Sequence, residues 1–181
     1  MLVNPDSVQT TEATLRDISE AARATGWQVQ VLKASTTQEI EAAFSTLASD
    51  RADALFIAPD AFFGSQRVQL ATLAKLYAVP TVWASRDAVE AGALLSYTTD
   101  TGDMFSHVGF YTGMILKGIK PADLPVVQTT KFELVINLQT ARLLGIDVPP
   151  TLLAMANKVI AVDDGRAHRR DSQAARRRHR Q

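Results

Sequence analysis

With 181 residues, the chain is long enough for one domain with a full core and too short for two of ordinary size. Its composition, 46% hydrophobic and 21% charged with no cysteine, suits a globular protein, excludes disulfides and thiolate chemistry, and holds no apolar run near the ~20 residues of a membrane span. The zero net charge conceals an asymmetry: residues 165–181 hold seven Lys or Arg against one Asp, and the remainder holds 12 against 18 Asp or Glu.

Strand and helix patterns alternate from the first residue, the form taken by a parallel sheet covered on both faces. Leu2 and Val3 read as a strand ending at Asn4-Pro5. A helix is expected over residues 8–24, with Val8, Leu15, Ile18 and Ala22 on its buried stripe and Gly26 ending it. WQVQVLKA, residues 27–34, reads as the second strand. Thr36 followed by Glu39 is a capping-box pattern for a helix to residue 49, in which Ile40, Ala43, Phe44 and Leu47 recur at helical spacing.

DALFIAP, residues 53–59, reads as a fully buried third strand, and the helix after it is expected to present Val68, Leu70, Leu73 and Leu76 to the sheet. PTVWAS, residues 80–85, is the fourth strand; a short helix over residues 87–90 leads through Gly92 to the fifth, ALLSY, residues 93–97. A helix over residues 101–116 carries Phe105, Val108, Met114 and Ile115 and closes at Gly118. FELVIN, residues 132–137, is a further strand, followed by a short helix ending at Gly145 and another after Pro149-Pro150. The tail, residues 161–181, has no hydrophobic periodicity and is expected to be a disordered basic extension, with no nucleic-acid partner implied.

In an open parallel sheet, ligands bind beyond the carboxyl ends of the strands, where loops and helix N-termini converge. The candidates are therefore residues 4–7, 58–63, 85–86 and 96–100. Ser7 stands at a helix start, where capping is the favoured role and binding of an anionic group the other. Asp60 follows the third strand and suits either a ligand ammonium or an N-cap. Phe62 and Phe63 are adjacent, so one helix turn cannot point both at the sheet; one is expected in the core and one at a cleft. Tyr97 and Asp100 end the fifth strand.

Catalysis has little support. His107 lies within a helix pattern, His168 and His179 lie in the basic tail, and none has a second ligand at metal-binding spacing. No GxSxG elbow, Walker A loop or GxGxxG follows a strand. The expectation is a non-enzymatic protein without cofactor or metal.

The run KGIKPADLPVVQTTKFELVINLQTARLLGIDVPPTLLA, residues 117–154, resembles the C-terminal signature of ABC-transporter substrate-binding proteins related to tryptophan- and tyrosine-binding components. LVNPDS at residues 2–7, IAPDAFFGSQR at 57–67 and VEAGALLSY at 89–97 extend the resemblance to residues 1–160. It implies one lobe of a type I periplasmic binding protein: an α/β, three-layer, doubly wound parallel sheet in the order 2-1-3-4-5. The expected function is capture of a small molecule such as an amino acid, with an ABC permease as partner. Under the resemblance, Ser7 would hold an anionic group, Asp60 and Asp100 a cationic group, and Phe62 and Tyr97 the ligand body. Many members have glycine where this chain has Thr98, and Asn137 matches an asparagine that reads as a structural hydrogen-bonding residue.

The resemblance places the chain at the second lobe, with a return segment to the first within residues 127–160. Residues 132–144 are then expected either to repack on this lobe or to form an exposed patch that drives self-association. Family members are periplasmic, whereas MLVNPDS has no basic or long apolar leader, so the chain as written is expected to lack a signal peptide and to stay in the cytoplasm. A truncated product without transport role and the effector lobe of a cytoplasmic regulator are the alternatives. A phosphoacceptor receiver domain shares the layout, but it needs an acidic pair after the first strand and a lysine after the fifth; this chain offers Asp6 and Tyr97 there.

Overall fold

The computed structural model describes residues 1–127 and 131–161; most of the basic tail lies outside the described residues. Its strands are β1 (Leu2–Val3), β2 (Leu32–Lys33), β3 (Leu55–Ile57), β4 (Thr81–Trp83), β5 (Leu95–Thr99), β6 (Phe132–Asn137) and β7 (Lys158–Ile160). The helices are α1 (Val8–Thr25), α2 (Thr37–Asp50), α3 (Ala61–Ser65), α4 (Arg67–Leu76), α5 (Arg86–Glu90), α6 (Thr101–Leu116), α7 (Leu138–Leu143) and α8 (Pro150–Met155). The strands form one sheet in the order β2-β1-β3-β4-β5-β6-β7. The expected 2-1-3-4-5 order stands, extended by two strands at the β5 edge.

Strand alternation sorts the core into two layers. Leu2, Leu55 and Ile57 point to one face, where they pack with Phe44, Phe63 and Leu70. Val3 and Phe56 point to the other, where Ala58 and Met1 meet Leu15 and Ile18 of α1. The sheet is thus covered on both sides, as a doubly wound fold requires.

The expected all-parallel sheet needs correction at one pair: β5 and β6 are antiparallel, with Thr99 opposite Phe132 and Leu95 opposite Ile136. The reason is connectivity. The chain leaves the end of β5, makes a long excursion and returns to the point it left, where the Asp100 N–H donates to the Lys131 carbonyl at 3.0 Å. Of the two fates expected for residues 132–144, the strand itself shows repacking, with Leu134, Val135 and Ile136 all buried. Only Phe132 and Leu143 of that stretch are exposed large apolar residues. Asn137 is buried and structural: its Oδ1 accepts from the Thr140 N–H at 3.0 Å and its Nδ2 donates to the Val89 carbonyl at 3.2 Å.

The helix boundaries match the sequence patterns closely, except that the single helix expected after β3 is two, α3 and α4, and the buried stripes differ. In α1 only Ala22 is buried, Leu15 and Ile18 are half-buried against Met1, Val3 and Ala58, and Val8 is exposed. In α4 the buried residues are Leu70, Ala71 and Ala74, whereas Val68 and Leu76 are exposed. Two alanines let that helix approach closely, which turns its larger flanking residues outward. The second strand shrinks to Leu32–Lys33, and Trp27, Val29 and Val31 are exposed.

Thr36 and Glu39 form the expected capping box. Gly26 ends α1 at φ +73°, in the left-handed region, and a Cβ built there meets nothing within 4 Å. Gly26→Ala therefore tests conformation alone; we expect a loss of about 1 kcal/mol by urea denaturation, the cost of a Cβ in that region.

Candidate functional site

β1 and β3 are neighbours, and both end at the same edge of the sheet. The turn after β1 is built by Asn4, whose Oδ1 accepts from the Asp6 N–H at 3.0 Å while its carbonyl accepts from Thr11 Oγ1 at 2.7 Å. That turn aims two side chains at Asp60, beyond β3. Ser7 Oγ donates to Asp60 Oδ2 at 2.5 Å, and Asn4 Nδ2 donates to Asp60 Oδ1 at 3.0 Å. The Phe62 N–H donates to the same Oδ1 at 2.9 Å, so Asp60 also N-caps α3.

Burial works to raise the Asp60 pKa, but hydrogen bonds from Ser7, Asn4 and the Phe62 and Phe63 N–H groups outweigh it and hold the carboxyl below its ordinary range. Asp60 is therefore an oriented anion. The capping role favoured for Ser7 is corrected, since its side chain makes no cap bond at all. With no side-chain cap and no acidic residue in the first turn, α1 keeps its leading N–H groups and positive dipole end at this edge.

The neighbouring aromatics divide as adjacency demands. Phe63 is fully buried, and Phe62 is partly buried against the same core, the ring centroids 5.7 Å apart.

Tyr97 and Asp100 lie on the same edge two strands away, and their contacts run elsewhere. Tyr97 is exposed and stacks on Phe132 at 5.3 Å with the planes 10° apart. Asp100 N-caps α6 by accepting from the Asp103 N–H at 3.1 Å. Asp103 is bonded to Lys131, which holds its carboxyl low, with His107 adding to the effect. The structure thus joins Ser7 and Asp60 directly, sets Phe62 beside them, and leaves Tyr97 and Asp100 as a separate pair along the edge. The side-chain role of Asn4 was visible in sequence only as a turn; its partner is 56 residues away. Lys131, at the foot of the excursion, carried no local signal, and Phe132 was legible only as the start of a strand.

Among the described residues there is no group of three or more His, Asp or Glu placed to hold a metal ion. No helix among them is long and apolar enough to cross a membrane.

A family profile described as ABC transporter substrate binding protein matches residues 1–160. A search of curated protein sequences gave no match. Among solved structures, the chain is similar to a conserved domain protein from Vibrio cholerae at 24% identity and TM-score 0.77, over 87% of this chain and 53% of that one. It is similar to an ABC domain in complex with L-Trp from Streptococcus pneumonia at 27% identity and TM-score 0.73, over 83% and 52%. A ligand-free, open substrate binding protein with adhesive properties from Clostridium difficile aligns at 22% identity and TM-score 0.64, over 82% and 50%. The chain spans about half the length of each of these structures. With a match across residues 1–160, and with the doubly wound sheet that such proteins share, the chain belongs to the family of ABC transporter substrate-binding proteins.

Proposed function

We propose that this chain is a ligand-contacting half of the solute-binding component of an ABC importer, taking an amino acid or a similar small zwitterion. The observation that carries the reading is the pairing of an oriented carboxylate, Asp60, with the uncapped start of α1 at one sheet edge. A zwitterion presents one charge to each: its ammonium to Asp60, with Asp100 further along the same edge, and its carboxylate to the α1 N–H groups, since the Ser7 hydroxyl proton is already given to Asp60. Phe62 and Tyr97 flank the ligand body. The structure with L-Trp supports this ligand class. The transport partner is an ABC permease, and the binding itself is non-covalent.

Affinity should be low for this half alone. A micromolar site corresponds to about 8 kcal/mol, and half of that leaves only about millimolar binding. A thermal-shift screen against amino acids at several times that concentration should give a saturable rise in melting temperature for one solute class. Tyr97→Ala and Phe62→Ala should each weaken that binding by about 1 kcal/mol, read by calorimetry, for loss of aromatic contact. A cooperative melt that no zwitterion shifts would count against the reading.

A further inference from the structure

Two polar atoms deep in the sheet have no hydrogen-bond partner among the described residues. Trp83 is 3% exposed and Ser96 is fully buried, yet neither the Trp83 indole N–H nor the Ser96 hydroxyl is satisfied. The two are neighbours across the sheet. Trp83 on β4 is in register with Ser96 on β5 in a parallel pair, so both side chains stand on the same face. Val135 of β6 is next in that row, and α5 packs over β4, β5 and β6. The burial therefore comes from elements of this chain alone. Ala88, the residue of α5 that joins the cluster with Trp83, contributes only a methyl group there.

We propose that one water molecule is built into the sheet at this row, where it accepts from Trp83 Nε1–H, hydrogen-bonds Ser96 Oγ and so bridges β4 to β5 beneath α5. The chemistry of the two groups selects this occupant. An indole N–H donates and cannot accept, so its partner must be an acceptor, which excludes an ammonium group or a metal cation. An anion accepts, but Glu133 stands on the same face of β6 as Val135 and would repel it. Arg86, the cation beside Glu133, is already held by that carboxylate at 3.0 Å and by Glu90 at 3.1 Å. A neutral acceptor remains, and between two buried residues only water is small enough. The serine hydroxyl serves a water in either direction, as donor or acceptor. Folded proteins satisfy buried polar groups that lack a protein partner with ordered water of this kind.

The test is a crystal structure of the chain in which ordered waters are visible, joined to a thermodynamic cycle in urea. The crystal should show one water within about 3.2 Å of both Trp83 Nε1 and Ser96 Oγ. In solution, Ser96→Ala and Trp83→Phe should each raise the unfolding constant several-fold. The double variant should fall short of the product of the two by about threefold or more, because the second change removes a bridge that the first has already broken. Strict additivity overturns the proposal, as does a row without water or a direct bond between Trp83 and Ser96. A Ser96→Ala variant more stable than the parent also overturns it, since that is the result for a hydroxyl with no partner to lose. The crystal structure of the parent decides the matter even where Trp83→Phe fails to fold.

Discussion

Phe63→Ala should remove about 3–5 kcal/mol of folding stability, the usual cost of deleting a fully buried aromatic ring and leaving a cavity. The ring lies at the centre of the larger core layer, with Phe44, Ile57 and Leu70 in the same cluster. Domains of this size are stable by about 5–15 kcal/mol, so the variant should melt far below the parent or fail to fold at ordinary temperature. Its neighbour provides the control. Phe62 is only partly buried, and Phe62→Ala should cost roughly 1 kcal/mol, in proportion to the smaller area removed from water. Chemical denaturation of the two variants separates them; equal losses would mean that the two rings share the core.

Asp60→Ala should cost about 2 kcal/mol and act at both ends of the β1–β3 edge. It removes the cap of α3, leaves Ser7 Oγ and Asn4 Nδ2 without their acceptor, and frees the turn after β1. Asp60→Asn keeps the shape but not the charge, and should recover part of the loss. The pH dependence follows from the lowered carboxyl pKa. The unfolded carboxyl titrates at about 4, so the contribution of Asp60 is complete above that value and fades as the pH falls through the lower folded value. The difference in stability between parent and Asp60→Asn should therefore shrink below about pH 4. A difference that stayed constant into acid would remove the charged role.

Helix positions were legible in the sequence because the signals that set them are local. Thr36 and Glu39 are three residues apart, Gly26 ends α1 by its own conformation, and apolar spacing marks α2 and α4 without reference to the rest of the chain. The first five strands and their order were legible for a related reason: successive crossovers in an alternating chain permit few arrangements. The site was half legible. Strand-end placement singled out Ser7, Asp60, Phe62, Tyr97 and Asp100, since ligands gather there, but not which of them touch.

By itself, then, the amino-acid order determined the alternation of elements, most of the helix boundaries, the edge at which the candidate ligand contacts gather and the split between Phe62 and Phe63. Tertiary structure alone decided that β6 runs antiparallel to β5 and that Ser7 serves Asp60 and not its own helix. The physical reason is the same in each case. Ser7 and Asp60 are 53 residues apart, and Asp100 meets Lys131 only after the whole excursion closes. Such pairings depend on how distant segments share one sheet, which no local periodicity records.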